Sequence, residues 1–137
     1  MIKKSKNKIL LITGGSSGIG LNIIKYFLKK NIKVINISRR TPKINSKKLI
    51  NINFDLTDFH LYDDLFKKLK KYSNKVNYFV YSAGIHDLKP IKFFTHKSIS
   101  DSININLLAP ILMSKYLSQI KSFNSLETII FISSVMG

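Results

Sequence analysis

At 137 residues the chain has the length of a single domain, enough to bury about two-thirds of its unfolded surface. Apolar residues at 45% and charged residues at 22% exclude disorder, and no apolar run reaches the roughly 18 residues of a membrane-spanning helix. Lysine and arginine total 23 against 7 acids, a net charge of +16, and the absence of cysteine excludes disulfides, thiolate metal sites and a cysteine nucleophile.

The basic start, Met1 to Lys8, is followed by only four apolar residues before Thr13-Gly14-Gly15. That is too short for an export signal, so the chain reads as soluble and cytoplasmic. Lys8–Thr13 is a continuous apolar run of the kind found in buried strands. Residues 18–30 carry Ile19, Ile23, Ile24, Phe27 and Leu28 at helical spacing with lysines opposite, and Asn31 closes that helix. Residues 32–38 alternate as a second strand and residues 49–54 form a third. Thr57 or Asp58 is placed to cap a helix whose apolar face is Tyr62, Leu65, Phe66 and Leu69. Val76–Tyr81 is a fourth strand; a long helix spans 98–120, kinked or broken at Pro110; residues 128–133 are a fifth strand. Ten residues, 39–48, join the second and third strands, too few for a crossover helix. Strands alternating with helices describe an α/β protein with a parallel sheet and helices on both faces, in one domain over 1–137.

The charge raises a polyanion as partner. The lysines fall in ones and twos along nearly the whole length, however, and the chain is equally swollen in Ile and Asn, residues of A/T-rich codons. Nucleic-acid binding is therefore not the expected function. His60, His86 and His96 have neither paired ligand spacing nor an acidic cluster, so no metal site is expected.

The chemistry concentrates in Thr13-Gly14-Gly15-Ser16-Ser17-Gly18-Ile19-Gly20, between an apolar strand and an amphipathic helix. Such a turn lets a pyrophosphate approach without obstruction by Cβ atoms and meet helix N-terminal N–H groups and their dipole. Its spacing is neither G-x-G-x-x-G nor Walker A. Thr13-Gly-x-x-x-Gly18-Ile-Gly20 instead resembles the short-chain dehydrogenase/reductase family. Further stretches resemble that family in the same order: Asp55-Leu56 the pair that holds adenine, Ala83-Gly84 the end of an Asn-Asn-Ala-Gly motif, Asn106 the active-site asparagine, and Ser134 the catalytic serine. The resemblance implies a Rossmann-type doubly wound sheet of order 3-2-1-4-5, truncated relative to the family. It also implies contacts to the cofactor from the glycine turn (Thr13, Gly14, Ser16, Ser17, Gly18, Ile19, Gly20), from Ser38, Arg39 and Arg40, and from Asp55, Leu56, Ala83 and Gly84. Tyr81-Ser82 depart from the family's paired asparagines.

In dinucleotide folds an acid after the second strand bonds the ribose of NAD, while arginine there accommodates the 2′-phosphate of NADP. That position falls on Ser38, followed by Arg39-Arg40, the only two arginines in the chain, with no carboxylate between Asn31 and Phe54. NADP is the expected cofactor.

The family's reaction passes a hydride between nicotinamide and a carbonyl or alcohol carbon. The resemblance assigns Ser134 to polarising the substrate oxygen and Asn106 to a proton relay. A tyrosine acid/base, assisted by a lysine four residues on, lies after the serine in the family, and this chain ends at Gly137 before it. The one literal match, Tyr26-x-x-x-Lys30, lies in the first helix and is a coincidence of spacing. Catalysis by this chain alone is not expected. A non-catalytic dinucleotide- or partner-binding module is the alternative, and a basic polyanion binder a more distant one. With residues 129–132 on an open sheet edge and the long helix short of a partner, self-association is expected.

Overall fold

The computed structural model describes residues 8–119 and 125–133. Five parallel strands form one sheet in the order β3-β2-β1-β4-β5, with β1 Ile9–Thr13, β2 Lys33–Ser38, β3 Leu49–Asn53, β4 Val76–Tyr81 and β5 Thr128–Phe131. The expected order is thus the observed one, with strand ends displaced by one or two residues.

Alternate residues of the strands feed two cores. On one face Ile9, Leu11, Ile35, Ile37, Phe79 and Tyr81 meet α2 (Tyr62–Lys70) and α4 (Ala109–Gln119) through Leu65, Leu69, Met113 and Leu117. On the other, Leu10, Ile12, Val34 and Val80 meet Ile24 of α1 (Gly18–Lys29). Each such side chain taken fully from water contributes about 1.5–3 kcal/mol. Asn31 ends α1 at a φ of 64°, its N–H on the Leu28 carbonyl. Among the described residues no helix joins β2 to β3.

Two expectations are corrected. The long helix begins earlier, as α3 (His96–Ile103), because Thr95 caps it: its hydroxyl accepts the Ser98 N–H at 3.1 Å while the Thr95 N–H donates back to the Ser98 hydroxyl at 3.0 Å. It then opens into a wider π turn at Asn104–Leu108 before α4. The break precedes Pro110 because the proline ring crowds the carbonyl four residues back, that of Asn106, and has no N–H to offer it. Neither Thr57 nor Asp58 caps α2. Asp58 makes no side-chain capping bond, and Thr57 gives both its N–H and its hydroxyl to Asp55; a 3-10 turn, Phe59–Leu61, leads into the helix.

Candidate functional site

An open cleft of about 320 Å³ lies across the C-terminal ends of β1, β2 and β4. The glycine turn forms its floor. Gly14 and Gly18 have φ of 70° and 56°, where a Cβ is strained. A Cβ on Gly14 would also sit 2.7 Å from the backbone of Ala83, so the turn packs directly on the end of β4, whereas Gly18 opens onto empty space. Ser17 precedes α1 but makes no side-chain capping bond; the Leu21 N–H donates to the Ser17 carbonyl at 3.1 Å, and no Ser17 hydroxyl occupies the earlier N–H groups of Gly18, Ile19 and Gly20, residues that line the cleft. Those donors and the helix dipole suit a phosphate.

Buried polar side chains fix this turn from below. The Thr13 hydroxyl accepts the N–H groups of Ser82 and Ala83, at 3.1 and 3.2 Å, joining β1 to the end of β4. The Asn36 carboxamide oxygen accepts the Gly15 N–H at 2.9 Å. Tyr81, standing where the resemblance has an asparagine, donates its hydroxyl to the Ile105 carbonyl at 2.5 Å and so ties β4 to the π turn. Burial raises the Tyr81 phenol well above its ordinary value, so it stays a neutral donor.

The rim is made by Ser38, Arg39, Arg40, Asp55 and Leu56. Ser38 is buried, accepts from the Asn36 amide at 2.7 Å and donates to the Arg40 carbonyl at 2.6 Å. Arg39 is exposed, and one guanidinium nitrogen lies 3.9 Å from the Asp55 carboxylate. No carboxylate lies between Asn31 and Phe54 in sequence, yet Asp55 comes beside Arg39 in space, because the register pairing Ser38 with Asn53 sets the residues after β2 beside those after β3. Partial burial would raise the Asp55 carboxyl, but the Thr57 N–H and hydroxyl, with Arg39 and Lys97, outweigh it and hold the group below its usual value. Leu56 is buried, its carbonyl held by the Tyr62 hydroxyl at 3.0 Å.

Past Ser82, Ala83 and Gly84 the cleft continues into a second recess of about 650 Å³, lined also by His86, Asn106, Ile111, Phe131 and Ser133. The Asn106 side chain, though exposed, is engaged by backbone groups. Its oxygen accepts the Ile85 N–H at 3.1 Å and its nitrogen donates to the Ile85 carbonyl at 2.9 Å, pinning the loop after β4 to the π turn. Ser134 lies outside the described residues.

The structure therefore brings Gly14, Ser16, Ser17, Gly18, Ile19, Gly20, Ser38, Arg39, Arg40, Asp55, Leu56, Ala83 and Gly84 to one cleft. Thr13 stands apart from them: wholly buried, it shapes the site through the β4 backbone. Tyr26 and Lys30 stack on the outer flank of α1, away from the cleft. No cluster of metal ligands occurs among the described residues. Nor, among those residues, is any helix long and apolar enough to cross a membrane. The sequence reading missed Asn36 and Ser82. Asn36 gave no clear signal, because it falls at a polar place in an alternating strand.

The family model for the short chain dehydrogenases matches residues 8–137. Galactitol 2-dehydrogenase of Agrobacterium fabrum is 32% identical over 125 residues, covering 83% of this chain and 47% of its own length. Benzil reductase of Bacillus cereus is 31% identical, covering 95% of this chain and 57% of its own. An uncharacterized oxidoreductase of Saccharomyces cerevisiae is 29% identical, covering 97% and 44%. The chain thus spans about half the length of these curated relatives. Among solved structures, 4-hydroxyisoleucine dehydrogenase complexed with NADH superposes with a TM-score of 0.78 at 29% identity, covering 94% of this chain and 56% of that one. A short chain dehydrogenase from Leptospira borgpetersenii with bound NAD+ gives 0.74 at 25% identity, covering 82% and 45%.

Proposed function

This chain belongs to the short chain dehydrogenase family, and we propose that it is the dinucleotide-binding part of an NADP-dependent oxidoreductase acting on a carbonyl or alcohol carbon. The end of β2 carries the NADP reading. Where an acid would accept from the ribose hydroxyls, the Ser38 hydroxyl is turned inward onto the Arg40 carbonyl, and two arginines follow at the rim. A guanidinium offers a 2′-phosphate paired, charge-assisted hydrogen bonds. Arg39 meets Asp55 only at 3.9 Å and is 66% exposed, so it can turn to such a ligand at little cost.

In this reading the glycine turn and the first turn of α1 hold the pyrophosphate, Asp55 and Leu56 flank the adenine, and Ala83 and Gly84 pass the nucleotide on to the second recess. The nicotinamide, when bound, supplies or accepts the hydride. Ser134 polarises the substrate oxygen, and Asn106 holds the loop after β4 against the π turn. The sole Tyr-x-x-x-Lys among the 137 residues is the α1 pair. The chain is accordingly proposed to bind nucleotide with little turnover of its own.

Titration with NADPH and NADH, read by nicotinamide fluorescence and thermal shift, tests this. NADPH binds more tightly, and Arg39→Ala weakens NADPH roughly tenfold to a hundredfold while leaving NADH within about twofold. NAD is the second reading, favoured by the two neighbours whose structures hold NAD+ and NADH. Tighter NADH binding selects it, and no binding of either nucleotide overturns both.

A further inference from the structure

The Asn36 carboxamide is wholly buried in the middle of β2, with all three of its bonds directional. Its oxygen accepts the Gly15 N–H at 2.9 Å; its nitrogen donates to the Ser38 hydroxyl at 2.7 Å and to the Asn51 side-chain oxygen on β3 at 2.6 Å. Both amide protons are thus used, and the oxygen must face Gly15 because only an acceptor satisfies an N–H. Ser38, having accepted, has one proton left and gives it to the Arg40 carbonyl at 2.6 Å. One continuous chain of hydrogen bonds therefore runs from the glycine turn through the interior of β2 to the arginine segment. Contact is equally close on the turn side, since a Cβ on residue 15 would collide with the Asn36 oxygen and with Ile24.

We propose that Asn36, acting through Ser38, is a positioning residue that sets the arginine segment at a fixed distance from the glycine turn and thereby sets the cleft's preference between NADPH and NADH. The inference rests on the dinucleotide reading above. The two ends of the chain are the two places where that ligand presents phosphate: the pyrophosphate at the turn and the 2′-phosphate at the rim. Buried hydrogen bonds of this kind resist displacement, because breaking one leaves a polar group unpaired away from water. The Arg40 carbonyl is drawn inward, and the segment carrying the two guanidinium groups folds over the end of β2 in one place rather than several.

The test is the ratio of the two affinities, measured on the full chain by fluorescence titration with NADPH and NADH. Ser38→Ala removes the link to Arg40 and keeps the bond from Gly15 to Asn36, so NADPH binding falls roughly three- to tenfold and NADH binding stays within about twofold. Asn36→Leu, close in volume and without hydrogen bonds, weakens both nucleotides and NADPH more. A merely structural role would lower both affinities together and leave their ratio alone. If Asn36→Leu does not fold, Ser38→Ala decides the matter. Wild type that prefers NADPH, loses the preference in Arg39→Ala and keeps it in Ser38→Ala overturns this inference and leaves the functional reading standing. Wild type without preference for NADPH overturns the NADP reading and the inference with it.

Discussion

β1 and β5 are built from the same kind of residue, Ile-Leu-Leu-Ile-Thr and Thr-Ile-Ile-Phe, and lie in the same parallel sheet, yet they have opposite fates. Every residue of β1 is buried, flanked by β2 and β4 and covered on both faces. Every residue of β5 is exposed, with Ile129, Ile130 and Phe131 at 39%, 46% and 51%, and among the described residues it pairs only with β4. Position in the sheet, not hydrophobicity, makes the difference, and the candidate site follows it. The glycine turn stands on the strand held from all sides, whereas the second recess leans on the strand that is not.

The strongest way to break the contrast is at the junction of β1 and β4. Gly14→Val combines a left-handed backbone with a Cβ forced into Ala83, and is expected to cost roughly 2–5 kcal/mol, read as a lower urea midpoint at constant m. Gly18→Ala carries only the backbone strain, about 1–2 kcal/mol, because space above it is open. Equal effects at the two positions would show that the contact with β4 is not what fixes the turn.

Next comes a pair of phenylalanines. Phe79 on β4 is fully buried, and Phe79→Ala is expected to cost about 3–5 kcal/mol; Phe131→Ala on β5 is expected to cost under about 1 kcal/mol. Ile130→Lys tests the edge itself. An exposed apolar edge invites pairing with another chain, so sedimentation velocity is expected to show association in wild type that the lysine reduces, with the melting temperature nearly unchanged. A wild type that stays monomeric at high concentration contradicts that expectation.

What the sequence shows of this molecule is mostly what is local to it. Apolar runs mark the strands, and the glycines at 14 and 18 mark a backbone only glycine adopts readily. The π turn at Asn104–Leu108 is not legible, because over five residues an α and a π period place apolar side chains almost identically. Asn36 looks like the wet side of an alternating strand; it is buried because the glycine turn, backed by Ile24 of α1, packs over that face of β2, so its polarity has to be satisfied internally. Five of the lysines, scattered in sequence, converge in space. Lys8, Lys33, Lys47, Lys48 and Lys75 line one recess of about 410 Å³ at the other end of the sheet. Each sits near the start of a strand or just before it, and a parallel sheet gathers all its strand starts on one side.

The smallest expected effect sets a carboxyl at the site against one beside the edge strand. Asp55 is held below its usual value, against the pull of partial burial, by Thr57, Arg39 and Lys97. Its charged form is therefore favoured by the fold. That contribution is complete above the ordinary carboxylate range and is lost as pH falls through the lowered value. Asp55→Asn is expected to be less stable near neutrality by about 0.5–1 kcal/mol, a figure discounted for the group's exposure, and to converge with wild type on acidification. Glu127, just before β5, is also lowered, first by its hydrogen bond to Lys8 at 2.8 Å, but its carboxylate is exposed to solvent. Glu127→Gln is expected to leave the melting temperature within error, and added salt to erase any remainder. Melting curves of the three proteins between neutral pH and pH about 3, at low and high salt, distinguish the two carboxyls. Parallel curves for wild type and Asp55→Asn would mean that the Asp55 charge is not coupled to folding, and that Thr57 is held by geometry alone.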